Sequence, residues 1–357
     1  MEVELATLSH AKERGASSPE RRARHILWPL LLALCLMVPL SASLGAVHIP
    51  IRTILLASIE RAHFSQEQQT ILFAIRLPRI FAAALVGSGL SVAGLLFQGL
   101  FRNPLADPYV IGSSGGAVLG ASIGVFLLPS FTFAGFSATA LFAFVGALGS
   151  LALVYFVARS HGRTPVVSLL LAGFSVSTIL SYSSYFLEIL DRDLGTGMRM
   201  LASWLHGAIS TPTWSQILAI ACITALGMIA SIPLCRLLDT LALGEEYAQH
   251  LGVNVELARG CLIVTGSLLT AAAVALGGMI GFVGLIIPHL ARMIAGPDHV
   301  RLLPLVACMG AIFVMLTDTL ARTLLTPAEI PVGVLMAFIG GPFFLFVLRR
   351  AGDSNTL

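Results

Sequence analysis

Charge is scarce along this chain: Asp, Glu, Lys and Arg make up 11% of its 357 residues. With 57% hydrophobic residues and a mean hydropathy of +0.91, too little polar surface remains to cover a soluble globule, so a bilayer is the expected solvent. The formal net charge of +3 is small, and the arginines are scattered between apolar runs, which excludes a nucleic-acid-binding surface. The five cysteines, Cys35, Cys222, Cys235, Cys261 and Cys308, sit in or beside apolar runs with no metal-ligand spacing. They read as small buried apolar residues, and no metal site is expected. A Walker A sequence is absent, so the chain is not expected to hydrolyse ATP. HExxH and paired catalytic carboxylates at membrane depth are missing too, which leaves an intramembrane metalloenzyme or acid–base enzyme without its chemistry.

What the chain has is apolar runs. Ten of them, at roughly 26–47, 78–101, 109–129, 133–158, 166–190, 213–237, 259–280, 281–295, 302–325 and 331–349, are candidate transmembrane helices of an all-α polytopic protein. The stretch 259–295 is nearly continuous and exceeds one crossing, so it is split at Gly277, Gly278 and Gly281. An even number of crossings puts both termini on one side. Under that topology 14 of the 21 basic residues fall on the same side, which makes it cytoplasmic. The expected organisation is a cytoplasmic tail at 1–25, a transmembrane domain at 26–350 and a cytoplasmic tail at 351–357. Residues 48–75, with Arg52, Glu60 and Arg61, form an outer polar connection. Residues 191–212, with Arg192, Asp193 and Arg199, form an outer loop with a short interfacial helix, and Trp204 and Trp214 read as headgroup-level anchors.

The most punctuated stretch is Arg76 to Gly120. Two arginines precede about twenty uncharged, largely apolar residues, and a helix-breaking turn follows with Arg102, Asn103, Pro104, Asp107 and Pro108. Next comes the glycine-serine run Gly112, Ser113, Ser114, Gly115. It lacks the Gly-Lys-Ser/Thr ending of a phosphate loop, so close passage of another backbone or a large solute is expected there. Arg76, Arg79 and Arg322 lie at outer ends of spans, against the positive-inside trend. They either snorkel to lipid headgroups or present guanidinium forks to carboxylates of another protein. Asp318 and Arg322, four residues apart, are spaced for an intrahelical ion pair. In a proton-coupled secondary transporter, the rival class, Asp318 would be the prime suspect.

Ser177, Ser181, Ser184 and Glu188 follow one another at helical spacing, as serines bonded back to their own helix or as the wall of a hydrated lumen. Residues 238–259 place Leu241, Leu243, Tyr247, Leu251 and Val253 among polar residues broken by Gly244 and Gly252. The pattern predicts two short amphipathic helices whose apolar face is covered by the span ends or by a partner. A shift of 190 residues pairs Gly87, Gly94, Leu95, Leu100 and Arg102 with Gly277, Gly284, Leu285, Leu290 and Arg292, as a duplicated half would.

RLPR at 76–79 with its glycine-rich helix and FRNPLADPYVIG at 101–112, LGEEYAQHLGV at 243–253, GFVGLIIPHLAR at 281–292 and LARTLLTPAEIPVG at 320–333 together resemble the FecCD-type permeases. These are ABC importer subunits for ferric siderophores, haem and cobalamin. The resemblance covers nearly the whole chain after residue 26 and implies a type II ABC importer permease fold in the inner (plasma) membrane. It implies a homodimer with two ABC ATPase subunits and a periplasmic binding protein, with ATP and magnesium held by the ATPases and no cofactor on this chain. By the same resemblance, Gly244, Glu245, Glu246, Ala248, Leu251 and Gly252 dock into the ATPase, and Arg76, Arg79 and Arg322 receive carboxylates of the binding protein. The serine stripe and the run at 112–115 line the path. Thr164, Pro165, Val166, Val167 and Ser168 lie near the cytoplasmic gate, where this chain departs from the small hydroxyl residues of the family pattern.

Overall fold

The computed structural model describes residues 19–45, 47, 49–54, 65–159, 164–190, 195–209, 211–326 and 328–354. Most of the expected N-terminal tail, Glu60, Arg61, Arg163, Arg192 and Asp193 lie outside the described residues, as does the end of the C-terminal tail. The apolar runs become α1 (Pro19–Ser43), α2 (Gln66–Phe101), α3 (Ser113–Leu127), α4 (Ala138–Ala158), α5 (Val166–Leu190), α7 (Trp214–Ala242), α9 (Val255–Gly277), α10 (Val283–Ala295), α11 (His299–Thr323) and α12 (Val332–Ser354). Between them lie the short helices α6 (Thr196–Leu205) and α8 (Glu245–His250). Among the described residues, seven helices are long and apolar enough to cross a membrane, and three apolar helices are shorter. Those ten correspond to the ten apolar runs of the sequence.

Four boundaries differ from the sequence expectation, each for a local reason. The helix expected from residue 78 starts at Gln66, because Ser65 and Gln68 close a capping box. It then runs in a wider π-helical register over Thr70–Arg76, just ahead of Pro78, whose missing N–H removes a helical hydrogen bond. The run expected from 133 opens instead as a β-hairpin, Thr132–Phe133 paired with Phe136–Ser137. Its turn puts Ala134 and Gly135 at φ of 51° and 84°, the left-handed pair of a type I′ turn. Ser137 then caps α4. The two short helices expected in 238–259 are one: α7 keeps its ladder to Ala242, α8 follows Gly244, and Asn254 caps the first turn of α9. Gly244 sits at φ 126°, where a side chain would be strained. Finally, α12 runs to Ser354, past the expected tail boundary at 351.

The bundle is built around α2, most of which is buried, with α7, α9, α10 and α11 packed on it. The small residues of α2 explain how. A Cβ at Gly94 would fall 1.9 Å from the carbonyl oxygen of Gly284 in α10, so the two backbones touch where they cross. Gly94 and Gly284 form one of the residue pairs matched by the shift of 190 residues. Two side chains complete this crossing. Pro288 has no N–H to give to Gly284, and the Gln98 amide donates to the carbonyls of Gly284 and Leu285 instead, at 3.1 and 3.2 Å. Arg292 in turn donates to the Gln98 carbonyl oxygen.

The cysteines are only partly the buried residues that composition implied: Cys235 is buried, but Cys35, Cys222 and Cys261 are exposed on the outer surface of the bundle.

Candidate functional site

The alternation of helices places two polar clusters at opposite ends of the bundle. At the first end, Pro78 and Arg79 open the apolar part of α2, and the last turns of α11 bring up Asp318 and Arg322. The Arg79 Nε and the Arg322 Nε donate to the two different oxygens of Asp318, each at 3.0 Å. The intrahelical pair expected from spacing is thus present as half of a bridge. Arg79 Nη1 also donates to Glu329 at 2.7 Å, and Arg322 Nη2 donates to Ser41 of α1 at 2.9 Å. Arg76 donates at 2.7 Å to the Ala42 carbonyl and also to that of Val47, so it caps the C-terminal end of α1.

The sequence predicted either snorkelling arginines or exposed forks, and the structure shows neither. Less than a tenth of Arg76, Arg79 and Arg322 is exposed, and Asp318 is 1% exposed. A guanidinium taken out of water must be paired, and these partners come from residues up to 281 positions away. All three arginines nonetheless line a cleft of about 200 Å³, together with Ile71, Thr326 and Glu329. Glu329, with 53% of its side chain exposed, is the member of the cluster that meets solvent, and the sequence reading gave it no role.

The serine stripe also takes another orientation. Ser177 shares a hydrogen bond with Ser114 at 3.0 Å and accepts from the Gly115 N–H at 2.9 Å, and Ser184 bonds Ser122. Ser177 and Ser184 therefore zip α5 to α3, while Ser181 is exposed and Glu188 half-buried. The glycine-serine run 112–115 is small because α5 passes against it: a Cβ on Gly115 would meet the Ser177 backbone at 2.4–2.5 Å. In the loop joining α2 to α3, Asp107 accepts from the Tyr109 N–H at 2.9 Å and from Phe282. Burial pushes its carboxyl up to about 6, and those two bonds oppose the rise. His206 turns back to the Ala202 carbonyl of its own helix.

At the other end, α8 is held from below by Ala248, which is fully buried, while Leu243, Tyr247 and Leu251 are 69%, 68% and 69% exposed. Leu243 lies before the break at Gly244, Tyr247 within α8 and Leu251 at its end, so the exposed apolar stripe runs along this segment and not down one helical face. Covering by the chain's own span ends therefore applies to Leu241, 7% exposed, and not to these three. Glu245 and Glu246 flank the stripe in the first turn of α8, so the stripe faces an aqueous compartment and not lipid. Behind α8, Arg259 bridges Glu245 and Glu256, and Glu256 holds Thr164 at the start of α5. The sequence reading named Thr164 and Glu245 but neither Glu256 nor Arg259 as their partners. Pro165 and Val167 are exposed, and Val166 and Ser168 are half-buried.

This arrangement of one buried central helix, half-length α3 and α10, and an exposed apolar helix between two crossings can be compared with known proteins. A model described as the FecCD transport family matches residues 31–350. The chain belongs to the FecCD transport family. Its fold is that of an ABC transporter permease. The cobalamin import system permease protein BtuC of Halobacterium salinarum is 40% identical over 305 residues, 85% of this chain and 80% of that protein. The hemin transport system permease protein HmuU of Yersinia pestis is 38% identical over 337 residues, 92% of this chain and 98% of that one. A solved structure described as a metal-chelate type ABC transporter in an inward-facing conformation superposes with a TM-score of 0.79. It is 32% identical and covers 92% of this chain and 99% of its own. The matched region contains both clusters and excludes only the chain termini.

Proposed function

We propose that this chain is the membrane-spanning permease subunit of an ATP-driven importer for a bulky metal chelate of the ferric siderophore, haem or cobalamin class. It works as a homodimer in the plasma membrane, with both termini and α8 in the cytoplasm. Two ABC ATPase subunits hydrolyse ATP against α8, and a periplasmic binding protein delivers substrate at the arginine end. The observation that carries this reading is the exposed stripe of Leu243, Tyr247 and Leu251 in and beside the short helix α8. A secondary transporter has nothing to place on such a stripe, whereas burying it against a groove stabilises an ATPase complex by roughly 1–2 kcal/mol per side chain. The relatives named for cobalamin and hemin, similar to almost equal degrees, support the substrate class without choosing a member.

In proteoliposomes holding the chain with an ABC ATPase subunit of its own genome, uptake of cobalamin, haemin or ferric citrate should require ATP and persist when the proton gradient is collapsed. The purified chain alone should turn over no ATP. Uptake driven by the gradient without ATP would establish the proton-coupled alternative through Asp318.

Docking of the binding protein at the arginine end calls for a test suited to a buried cluster. Arg79→Glu would set a second carboxylate against the buried Asp318, with Glu329 beside it, and fail as a fold. Glu329→Gln instead removes the negative charge at the mouth of the cleft while its amide oxygen can still accept from Arg79 Nη1, so an acidic binding protein should associate several-fold faster at low salt. Unchanged association kinetics would show that the arginines serve only the fold.

A further inference from the structure

We infer that Arg259 is the positioning residue through which the ATPase-facing helix α8 moves the start of α5. The inference rests on the proposed function, since it assigns a path to the coupling which that function requires. Every hydrogen-bonding group of Thr164 is anchored on the first turns of α9. Its N–H and Oγ1 donate to the same oxygen of Glu256, at 3.1 and 3.0 Å, and its carbonyl accepts from Arg259 Nη1 at 3.5 Å. The other oxygen of Glu256 accepts from Arg259 Nη1 at 2.7 Å, while Arg259 Nη2 donates to Glu245 of α8. Thr164 is fully buried and Arg259 is 9% exposed, while the Glu256 and Glu245 side chains keep 32% and 47% exposure, so the joint is buried at Thr164 and reaches solvent at α8.

The joint lies between parts of unequal rigidity. Most of α9 is buried in the bundle, while α5 is the least buried of the long helices, and α8 stands out at the end of the bundle. One guanidinium holds two carboxylates from different elements. Displacing α8 therefore redistributes Arg259 between Glu245 and Glu256 and changes the grip on Thr164. Pro165 follows immediately and α5 begins one residue later, so a change at Thr164 is passed to the helix start without a flexible linker. A planar fork serves both carboxylates and the Thr164 carbonyl in fixed directions, whereas a lysine offers a rotating point charge without that geometry.

The test uses the full chain assembled with its ATPase, with the five cysteines replaced by alanine and Val167→Cys added, the second residue of α5 and 66% exposed. The rate of labelling by a water-soluble maleimide is compared without nucleotide and with ATP plus vanadate. The parent should show at least a threefold difference. Arg259→Met should abolish that difference while ATP turnover by the assembled complex persists, and Arg259→Lys should retain part of it. Thr164→Val, which removes the Oγ1 bond and keeps the N–H bond, should reduce it about twofold and remains informative if Arg259→Met does not assemble. A full nucleotide-dependent change in Arg259→Met or an undiminished one in Thr164→Val overturns the inference, as does a parent that shows no change. Failure of the parent to assemble with an ATPase would instead reject the proposed function, so the two failures are distinguishable.

Discussion

Replacing Asp318 by Asn should lower the thermal midpoint of the detergent-purified protein by roughly 10 °C, the equivalent of about 3–5 kcal/mol for one partner removed from a buried ion pair. Each oxygen of Asp318 accepts from a different arginine, and the carboxylate is 1% exposed. Asparagine keeps the shape but removes the charge and turns an NH2 group toward a guanidinium donor. The one oxygen left can accept from only one arginine: if Arg79 loses its bond it keeps Glu329 alone, and if Arg322 does it keeps only the Ser41 hydroxyl. Because α1, α2 and α11 all meet at this cluster, the loss is global. Adding Arg322→Met should recover part of the midpoint, since it removes the charge left unpaired. The outcome also separates two roles for the same residue. A proton carrier mutated to Asn keeps its fold and loses gradient-driven uptake, whereas a structural bridge loses stability first. An unchanged midpoint for Asp318→Asn would mean that the cluster does not hold the helices together.

Gly94→Ala should prevent accumulation of folded protein. The added carbon would lie 1.9 Å from the Gly284 oxygen and 2.5 and 2.6 Å from its carbonyl and α carbons. All three are backbone atoms, so no side chain can rotate away and α2 must separate from α10. Overpacking of this kind costs about 1–3 kcal/mol where side chains yield and more where they cannot. Separation would also break the bonds of Gln98 to Gly284 and Leu285, which exist only at this spacing. Gly149→Ala in α4 is the matched control: nothing lies within 4 Å of its added carbon, and it should leave expression and midpoint unchanged or slightly raised. Fluorescence-detected size-exclusion chromatography of both variants reads the difference directly. A monodisperse Gly94→Ala peak of normal height would show that the crossing is looser than the structure has it.

Much of this protein was legible in its sequence, for one physical reason. Hydrocarbon requires each crossing to satisfy its own backbone, so hydropathy and length are local properties that mark the helices without knowledge of their neighbours. That is why the ten runs, the break after Gly277, the punctuation at Gly244 and the apolar stripe of Leu243, Tyr247 and Leu251 could be read directly, along with the motifs that mark the family. What only the tertiary structure decided is which polar groups meet. Arg79 finds Glu329 at a separation of 250 residues and Thr164 finds Glu256 at 92, and no local window contains both members. The arginines read as snorkelling or as a free rim, and the serines as bonded to their own helix or as a lumen wall, because a helical wheel shows which residues share a face and not what the face packs against. In a bilayer an unpaired charge or hydroxyl is costly. The tertiary structure therefore supplied partners, turning the rim into a buried bridge and the stripe into a zipper between α3 and α5.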